Sequence, residues 1–359
     1  MEVFDKLSSH LLQKLPFVLY SKPTSKKIVG LFQNNSDAYL ATNIEDKGFV
    51  MNHFGDNNLW IIPENQSEII VENFDFDEND KNERKWTVEF DNETSNREKY
   101  TTLVKKGIDA IKNNDFEKIV LARSESIYFD AIDIVKTFKN VFLHFPDSFR
   151  YIYYHPKFNC WCGAFSEKLL KIDGENFETM ALAGTQKFDS IKNVEWQQKE
   201  ITEQKFVTDY ITAALQNKVS EIIVFEPITI QHGKLLHIKT DIFGKLNKNS
   251  DVFTLLKVLN PTPAVCGIPK EHAKEFILKN EEFSREFYAG VVGEINKDFE
   301  ANENFKSELF VNLRCMKIKE NQAVLFAGAG ITKDSLPQKE WEETVNKTFA
   351  MKNCLNLIL

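Results

Sequence analysis

The sequence predicts an α+β protein in which large, mostly antiparallel sheets are covered by helices. Several apolar segments of strand length follow one another through short turn sequences, such as KIDGENFE at residues 171–178. A short turn joins antiparallel neighbours, because a parallel pair needs a crossover of about a dozen residues or more. The chain contains neither a G-x-G-x-x-G nor a G-x-x-x-x-G-K-[ST] stretch, which argues against a βαβ nucleotide-binding fold.

The composition is that of an ordinary globular protein, and it argues against several classes of partner. The chain has 359 residues, of which 42% are apolar and 27% are charged, and its formal net charge is −8. It has no basic block, so nucleic acid is not expected as a partner. No apolar run approaches the roughly 20 residues of a membrane span. The five cysteines show no disulfide framework, which predicts that the protein resides in the reducing cytoplasm. A monomer is the default expectation for its oligomeric state.

Residues 1 to about 95 are predicted to hold one helix, a few short strands and an acidic loop. The helix is MEVFDKLSSHLLQKL at the N-terminus, where apolar residues recur near helical spacing. It carries acidic residues and lacks a small-residue cleavage site, which argues against a signal peptide. The loop is VENFDFDENDKNERK, rich in acidic residues and asparagine, at residues 71–85. We expect this loop to mark the boundary with the rest of the chain.

From residue 97 onward the pattern predicts a denser succession of elements. The predicted helices span residues 97–114, 131–143, 195–219, 251–259, 270–280 and 336–350. The predicted strands span residues 118–129, 149–155, 160–165, 168–173, 176–182, 221–230, 235–243, 288–296, 307–319 and 322–328. Cys160 and Cys162 should share one face of a buried strand, because side chains two residues apart in a strand point to the same side.

Two predicted helices carry acidic pairs. Glu200 and Glu203 are three residues apart in EWQQKEITEQ, and Glu340 and Glu343 repeat this spacing in LPQKEWEETVNK. Residues three apart lie on one face of a helix. A single such pair is typical of a solvated helix face. Two pairs that converge from two helices would instead form an oxygen-rich site suited to Mg²⁺ and an anionic substrate.

Glycine-containing strand ends and a proline-rich loop are candidates for shaping a site. FAGAGIT at 326–332 places Gly328 and Gly330 before the last helix, and ALAGTQ contains Gly184. Glycine lets backbone N–H groups approach an anion closely, although each segment also fits a simple tight connection. NPTPAVCGIPK at 260–270 contains three prolines and is expected to be a rigid loop.

Four polar residues lie in or beside apolar strands. Arg314 lies within the predicted strand FVNLRCMKI, and a buried guanidinium needs an anion, either a structural carboxylate or a substrate carboxylate. Tyr288 enters a predicted strand in SREFYAGVVGEI. Glu167, in CGAFSEKLL, is either an acid with a raised pKa or an exposed turn residue. Lys118, in FEKIVLARSES, is either the solvated first residue of a strand or a partly desolvated ammonium at a pocket mouth.

The order of these segments along the chain resembles that of the chorismate-utilising enzymes. The similar segments, from about residue 97 to 350, are KIVLAR, GAFSEKLL, LAGT, KEITEQ, NPTPAVCGIPK, REFYAGVVGEI, VNLRCM and LFAGAGITKDSLPQKEWEETVNK. Within the family the chain is most similar to the isochorismate synthases. The resemblance implies sheets packed face to face and a chorismate-binding catalytic region at 96–359. Residues 1–95 would be a shortened N-terminal part that completes the sheets.

The resemblance also implies a catalytic pair. Lys118 would be the general base that activates the water attacking C2 of chorismate. Glu167 would be the general acid that protonates the departing C4 hydroxyl from the other side of the ring. A lysine acts as a base only when it is neutral, which desolvation or a nearby cation favours.

Metal and substrate contacts are implied for the remaining candidates. Glu203 and Glu343 would bind Mg²⁺ directly, and Glu200 and Glu340 would hold its waters. Contacts with chorismate are implied for Thr185, Gly184, Tyr288, Arg314, Gly328, Gly330, Lys347 and Asn260.

Three positions depart from the patterns of related enzymes. Asn260 stands where the family usually has histidine, and asparagine cannot relay a proton by titrating. Ser166 stands where a proline usually precedes the acid. Ala183 replaces the nucleophilic lysine of one class of aminodeoxychorismate synthases, which closes that covalent route. Two alternatives to an isochorismate synthase stay open, namely a salicylate synthase that goes on to eliminate pyruvate, and a non-catalytic chorismate-binding subunit.

Overall fold

The structure, a computed structural model, describes residues 1–74, 94–187, 194–232 and 235–358. The α-helices of these residues are α1 (Glu2–Gln13), α2 (Thr94–Lys112), α3 (Ile134–His144), α4 (Gln198–Leu215), α5 (Val252–Leu259), α6 (Lys270–Asn280) and α7 (Pro337–Lys352). None of the described helices has the length and apolar character needed to cross a membrane.

Most strands belong to two large sheets. In chain order the strands are β1 (Phe17–Ser21), β2 (Lys27–Gln33), β3 (Tyr39–Leu40), β4 (Gly48–Asn52), β5 (Leu59–Pro63), β6 (Ser67–Asn73), β7 (Lys118–Tyr128), β8 (Ala131–Ile132), β9 (Phe149–His155), β10 (Asn159–Phe165), β11 (Lys168–Asp173), β12 (Asn176–Lys187), β13 (Val219–Val224), β14 (Ile228–His232), β15 (Leu235–Leu246), β16 (Gly267–Ile268), β17 (Val291–Ile295), β18 (Lys297–Asp298), β19 (Glu303–Asn304), β20 (Lys306–Val311), β21 (Cys315–Lys319), β22 (Gln322–Ile331) and β23 (Leu357–Ile358).

The two large sheets are antiparallel throughout their described ladders. The first sheet has the strand order β16-β7-β22-β21-β10-β9-β1-β2-β6. The second has the order β13-β15-β12-β11-β20-β17-β4-β5-β3, and β14 also pairs with β15. Two small ladders, β18-β19 and β8-β23, lie outside these sheets. The predicted α+β class with large antiparallel sheets is confirmed.

The sheets pack face to face because the strands of the first sheet are apolar on both sides. In β1, Val18 and Tyr20 belong to a hydrophobic cluster that also contains residues of the second sheet, such as Phe49. The alternate residues Phe17 and Leu19 belong to a second cluster, which includes residues of α1 and α3. Successive strand residues point to opposite faces, so one face of this sheet meets the other sheet and the opposite face is covered by helices.

The cysteines follow the same alternation. Cys160 and Cys162 lie together in the helix-covered cluster, whereas Trp161 between them points to the interface of the sheets. The prediction that the two cysteines share one face of a buried strand is therefore confirmed. All five cysteines are free and buried.

The strands of the N-terminal part extend both large sheets. β1, β2 and β6 form one end of the first sheet, and β3, β4 and β5 form one end of the second. The division into residues 1–95 and 96–359 stays a prediction. The acidic loop predicted at 71–85 begins within β6, and from residue 75 onward it lies outside the described residues.

Several predicted strands end elsewhere in the structure. The predicted strand 221–230 is divided into β13 and β14, with Pro227 between them, because proline has no N–H to donate to a ladder. The predicted strand 307–319 is interrupted between β20 and β21, where Arg314 has a φ of 41°. Arg314 therefore lies in a turn and not inside a strand. Tyr288 also lies in a turn, ahead of β17.

The predicted helices are mostly found near their predicted positions. The helix predicted at 131–143 begins only at Ile134, because Asp133 caps it by accepting a hydrogen bond from the Lys136 backbone N–H at 2.9 Å. Residues 131 and 132 form β8 instead. The helix predicted at 195–219 is shorter, and α4 covers Gln198–Leu215.

Candidate active site

Most of the residues that were predicted to form a site line one cavity of about 360 Å³. The predicted residues that line it are Lys118, Glu167, Gly184, Glu200, Glu203, Tyr288, Arg314, Gly328, Gly330, Glu340, Glu343 and Lys347. They come from segments that are far apart in sequence, and the fold brings them to one place.

The cavity lies where the chain passes between the two large sheets. β10 of the first sheet is followed by β11 of the second, and Glu167 lies in the connection between them. β20 of the second sheet is followed by β21 of the first, and this connection carries Arg314. Residues of β7, β22, β12, α4 and α7 line the rest of the cavity. Turn positions thus provide an acid, a cation and Tyr288, and regular elements provide most of the other groups.

Lys118 is held at the start of β7 with its side chain turned into the cavity. The residue is only 9% exposed, so it is not a solvated strand end. Its Nζ donates a hydrogen bond to Glu203 Oε1 of α4. A Cβ on Gly330 of the adjacent β22 would lie 3.2 Å from Lys118 Cε. The absence of a side chain at position 330 therefore leaves the space that the lysine occupies.

Glu167 is both a turn residue and a carboxyl group with a raised pKa. Its backbone carbonyl accepts a hydrogen bond from the Val311 N–H at 3.0 Å, which fixes the turn. Burial raises the pKa of the Glu167 carboxyl to about 7, although the positive charges of Lys118 and Lys347 act in the opposite direction. Burial has this effect because it disfavours the charged form. Glu167 thus lies in a turn but is not exposed, and of the two interpretations left open by the sequence, the structure supports the acid with a raised pKa.

The four candidate metal ligands lie on α4 and α7 and face the same cavity. Glu203 is paired with Lys118, and Glu343 Oε1 lies 2.7 Å from Lys347 Nζ. The Glu200 Oε2 atom is buried and has no hydrogen-bond partner among the described residues. A buried carboxylate oxygen without a partner is costly, and a cation or a cation-bound water would satisfy it.

These carboxylates do not by themselves form a closed metal cage. Among the described residues, no group of three or more histidine, cysteine, aspartate and glutamate side chains is close enough to hold an ion. The oxygen-only donor set suits a hard cation that retains waters, such as Mg²⁺. The residues therefore fit an ion that takes part of its coordination from water and substrate.

Arg314 is a partly buried cation in the turn between β20 and β21. No carboxylate of the described residues lies within 4.0 Å of its guanidinium, and burial lowers the pKa of this group. Of the two partners that the sequence left open, a structural carboxylate is therefore missing from the described part of the chain. The arrangement favours an anionic ligand as the partner of Arg314.

Tyr288, Gly328 and Lys347 form one wall of the cavity. Tyr288 is buried, and its ring stacks on Phe326 with centroids 5.5 Å apart. A Cβ on Gly328 would lie 3.0 Å from the tyrosine Oη and 3.1 Å from the Leu121 carbonyl oxygen. Lys347 Nζ donates a hydrogen bond to the Gly328 carbonyl oxygen at 2.8 Å. A side chain at position 328 would push this wall apart.

Two predicted substrate contacts, those of Thr185 and Asn260, stay predictions. The backbone of Thr185 belongs to β12, but its side chain lies outside the described part of the structure. Asn260 lies at the C-terminal end of α5, where its carbonyl oxygen accepts a hydrogen bond from Lys270 Nζ at 3.5 Å. Asn260 is not among the described residues that line the cavity, although Ala264 and Val265 of the same loop are. A contact between Asn260 and substrate stays a prediction.

The cavity also contains residues that the sequence did not single out as site residues. The additional polar ones are Ser166, His237, Thr332 and Ser335. The additional apolar ones include Val120, Phe165, Leu182, Leu313 and Phe326. His237 lies in the alternating segment LLHIKTDI, where a histidine is equally typical of a buried or a solvated strand position. The residues around it in the sequence, such as Lys239, do not indicate that His237 lines a cavity.

Comparisons with known proteins agree with this geometry. The family model described as "Chorismate binding enzyme" matches residues 31–356. The chain is 34% identical to isochorismate synthase EntC of Escherichia coli K12 over 251 residues, which cover 67% of this chain and 63% of EntC. It is 30% identical to isochorismate synthase MenF of the same strain over 270 residues, covering 72% of this chain and 60% of MenF. The matches thus span about 60% of the length of these curated relatives.

Solved structures resemble the whole chain. A structure described as a 2,3-dihydroxybenzoate-specific isochorismate synthase, DhbC from Bacillus anthracis, superposes with a TM-score of 0.76 at 26% identity. That alignment covers 97% of this chain and 99% of the other. The structure of Escherichia coli MenF superposes with a TM-score of 0.77 at 20% identity, covering 95% and 89% of the two chains. The second likeness concerns the fold alone.

Proposed function

Because this chain belongs to the family of chorismate-binding enzymes, we propose that it is a Mg²⁺-dependent isochorismate synthase. The reaction adds water at C2 of chorismate with loss of the C4 hydroxyl. The observation that carries the proposal is one cavity that contains a buried lysine, a carboxyl group with a raised pKa and an arginine without a carboxylate partner in the described residues. Four glutamates face the same space.

Lys118 and Glu167 are the proposed base and acid. Water adds to a ring carbon only if its proton is removed, and a hydroxyl leaves readily only if it is protonated. Glu167 is suited to the second task, because its pKa of about 7 keeps part of the carboxyl protonated near neutral pH. Lys118 can perform the first task only as a neutral amine, because an ammonium has no lone pair to accept a proton. Its pairing with the Glu203 carboxylate favours the ammonium, so the base must separate from Glu203 and lose a proton to solvent before it acts.

Glu203 and Glu343 would bind Mg²⁺ directly, and Glu200 and Glu340 would hold its waters. Bound Mg²⁺ would neutralise the ring carboxylate of chorismate. The Glu200 Oε2 atom supports this assignment, because this buried oxygen lacks a hydrogen-bond donor in the part of the chain that the structure describes. Lys118 and Lys347 form ion pairs with Glu203 and Glu343, so both proposed ligands are held at the cavity by a neighbouring lysine.

Arg314 would hold the carboxylate of the enolpyruvyl side chain, with Tyr288 beside it. Arg314→Ala is expected to raise KM for chorismate strongly, because a charged contact with the substrate is lost and no other arginine lines the cavity in the described residues. Arg314→Lys should recover part of the loss, since lysine keeps the positive charge but lacks the planar guanidinium that can donate two parallel hydrogen bonds to a carboxylate. Steady-state kinetics at saturating Mg²⁺ measure the effect, and an unchanged KM in Arg314→Ala would make Arg314 a structural residue.

The pKa of Glu167 gives the proposal a pH dependence. The acid must be protonated, so kcat/KM should fall as pH rises through about 7, the raised pKa of this carboxyl. The profile of kcat/KM reports the ionisation of groups in the free enzyme. Glu167→Gln should lose most activity and also lose this alkaline limb. Glu178→Gln, which alters a glutamate paired with Lys168 outside the cavity, should keep the wild-type profile.

The direct test of the proposal is the product formed from chorismate and Mg²⁺ by the purified protein. Chromatography should show isochorismate, and a lactate dehydrogenase assay should detect no stoichiometric pyruvate. Salicylate together with pyruvate would instead identify a salicylate synthase. Chorismate binding without turnover would identify a non-catalytic chorismate-binding subunit.

The proposal extends to the setting of the enzyme. Its product would enter menaquinone or siderophore biosynthesis, in keeping with a similar structure that is described as a 2,3-dihydroxybenzoate-specific isochorismate synthase. We expect the protein to be a cytoplasmic monomer that binds chorismate. We expect it to bind neither nucleic acid nor a membrane. The net charge of −8 and the absence of a basic block support the expectation about nucleic acid.

A further inference from the structure

We infer that Glu281 and Arg285 are a pair of positioning residues: their buried ion pair closes one edge of β7, joins it to the loop 260–266 and thereby holds the cavity wall next to Lys118. The inference rests on the proposed function, because the wall belongs to the same cavity, although neither residue is among the described residues that line it. Three observations lead to it, namely the open edge of β7, the hydrogen bonds of the pair and the residues that the bonded segments present to the cavity.

One edge of β7 lacks a partner strand over most of its length. On one side, β7 pairs with β22 from Ile119 to Tyr128. On the other side, the short strand β16 pairs only with Lys118 and Ile119, and no further strand of the described residues pairs with that edge. A buried backbone N–H or C=O group without a partner is costly. The buried backbone groups that point to this edge beyond Ile119 therefore need partners that are not strands.

The ion pair supplies such partners. Glu281 follows the last residue of α6, and its carboxylate accepts hydrogen bonds from Arg285 Nε at 2.8 Å and from the Ala122 backbone N–H at 2.8 Å. Arg285 Nη2 donates to the Val120 carbonyl oxygen at 2.7 Å. Arg285 Nη1 donates to the Val265 carbonyl oxygen at 2.9 Å. Two side chains thus bind β7 where a neighbouring strand is missing, and they bind the loop at the same time.

The pair is buried, and its charges are matched. The side chains of Arg285 and Glu281 are 3% and 2% exposed. The guanidinium also lies over the ring of Phe54, 4.3 Å from its centroid. A guanidinium is planar and presents its donors in a rigid arrangement. The carboxylate and the two carbonyl oxygens that it binds are therefore held at fixed positions relative to one another.

The segments that the pair joins form part of the cavity wall. Val120 and Val265, whose carbonyl oxygens Arg285 binds, both line the cavity, and so does Lys118, two residues before Val120. The carbonyl oxygen of Arg285 accepts a hydrogen bond from the Tyr288 N–H at 2.8 Å. A misplacement of about 1 Å at a site can cost about 10²-fold in rate. The pair therefore lies behind the wall and fixes the strand from which the proposed base extends.

A double substitution, Glu281→Met with Arg285→Met, separates positioning from stability. It removes both charges together, so no buried charge is left unpaired, and it fills the space with apolar side chains. Backbone groups lose their partners, so kinetics are measured well below the melting temperature of the variant, where all of it is folded. We expect kcat to fall by about 10–100-fold with a smaller change in KM, since the pair does not contact Arg314. Wild-type kcat in the fully folded variant would overturn the inference.

A matched control replaces another ion pair in the same way. Lys297 Nζ lies 2.6 Å from Glu64 Oε1, the two side chains are 14% and 29% exposed, and neither residue is among the described residues that line the cavity. Glu64→Met with Lys297→Met should keep wild-type kcat and KM. A loss of kcat as large as that of the first double variant would mean that any internal ion pair of this fold has the same effect, which contradicts the inference.

A thermodynamic cycle tests whether the pair acts through Lys118. If the pair positions the lysine, adding the double methionine substitution to Lys118→Gln should cost clearly less in kcat than adding it to the wild type. A loss of stability alone would not produce this dependence. Losses in kcat that simply multiply would mean that the pair does not act on the base.

A readout that needs no turnover keeps this inference distinct from the proposed function. Hydrogen exchange measured by mass spectrometry should be faster in the β7 peptide of the double methionine variant and unchanged in the β9 peptide. Equal acceleration in both peptides would indicate a general loss of stability and contradict the inference, as would unchanged exchange in β7. If the wild-type protein forms no isochorismate, the proposed function fails, while the exchange pattern still decides whether the pair holds this wall.

Arg285→Lys decides the case if the double methionine variant does not fold. Lysine keeps the charge opposite Glu281 but lacks the planar guanidinium that binds the carboxylate and two carbonyl oxygens together. A lowered kcat in the folded Arg285→Lys variant supports the inference, and wild-type kcat contradicts it. Failure of both variants to fold would make the pair a requirement for folding and would likewise contradict a positioning role.

Discussion

Replacing Lys118 with glutamine is expected to lower kcat for isochorismate formation by about 10²–10⁴-fold, the usual cost of losing a general base. Glutamine has similar length and polarity but cannot accept the proton of the attacking water. KM for chorismate should change little, because the substrate contacts assigned to Arg314 and Tyr288 remain. Single-turnover and steady-state assays at saturating Mg²⁺ would separate the chemical step from binding.

The matched control for this substitution is Lys317→Gln. Lys317 is a half-buried lysine that is likewise paired with a carboxylate, since its Nζ lies 2.7 Å from Glu286, but it does not line the cavity. This variant should keep wild-type kcat, which would show that removing a paired lysine from this fold is not inactivating in itself. If Lys118→Gln formed isochorismate at a rate near that of the wild type, the proposed mechanism would have no base.

Removal of Mg²⁺ is expected to abolish activity completely, and its return should restore activity. The reason is that the cavity brings four glutamates toward a dianionic substrate, an arrangement that is repulsive without a cation between them. Glu343→Gln should lower kcat/KM at limiting Mg²⁺ by more than about 100-fold, since even groups that only support metal ligands cost 10–100-fold. Calorimetric titration with Mg²⁺ in the presence of chorismate gives a measure of affinity that does not depend on turnover.

Glu342→Gln provides the control on the same helix. Glu342 is the preceding residue of α7, accepts a hydrogen bond from Gln338 Nε2 at 3.0 Å, and does not line the cavity. Its substitution should leave both activity and Mg²⁺ affinity unchanged. Full turnover by the wild-type protein in metal-free buffer would rule out the assigned role of the glutamates.

The fold class could be anticipated from sequence because its signals are local, and the candidate site could be anticipated because the order of its segments resembles a known family. Turn-linked apolar segments indicated antiparallel sheets, and the spacing of Glu200 from Glu203 indicated that they share one face of a helix. The departures have physical causes as well. Arg314 lies in a turn and not in the predicted strand, because its left-handed backbone conformation ends the ladder between β20 and β21. A run of apolar residues on both sides of a turn does not reveal where the ladder stops.

The site residues differ in how visible they are along the chain. Glu203 and Glu343 belong to segments whose order resembles a known family, so the sequence suggested roles for them. His237 is a single histidine in an alternating strand, and its hydrogen bond to Gly184 joins residues 53 positions apart. The raised pKa of Glu167 results from burial by segments that are distant in sequence. Neither property has a counterpart in local residue patterns.

The amino-acid sequence by itself determined the secondary-structure elements, the apolar faces of the strands and the residue types available for chemistry. Backbone propensity, side-chain alternation and helix spacing act over a few residues, so they can be read along the chain. The tertiary structure alone decided which of these residues meet. Lys118 contacts a glutamate 85 positions away, and Arg314 has a cavity on one side and no carboxylate of the described residues within reach. Such pairings depend on how two sheets pack and where the chain crosses between them, and packing of distant segments leaves no periodic trace in the sequence.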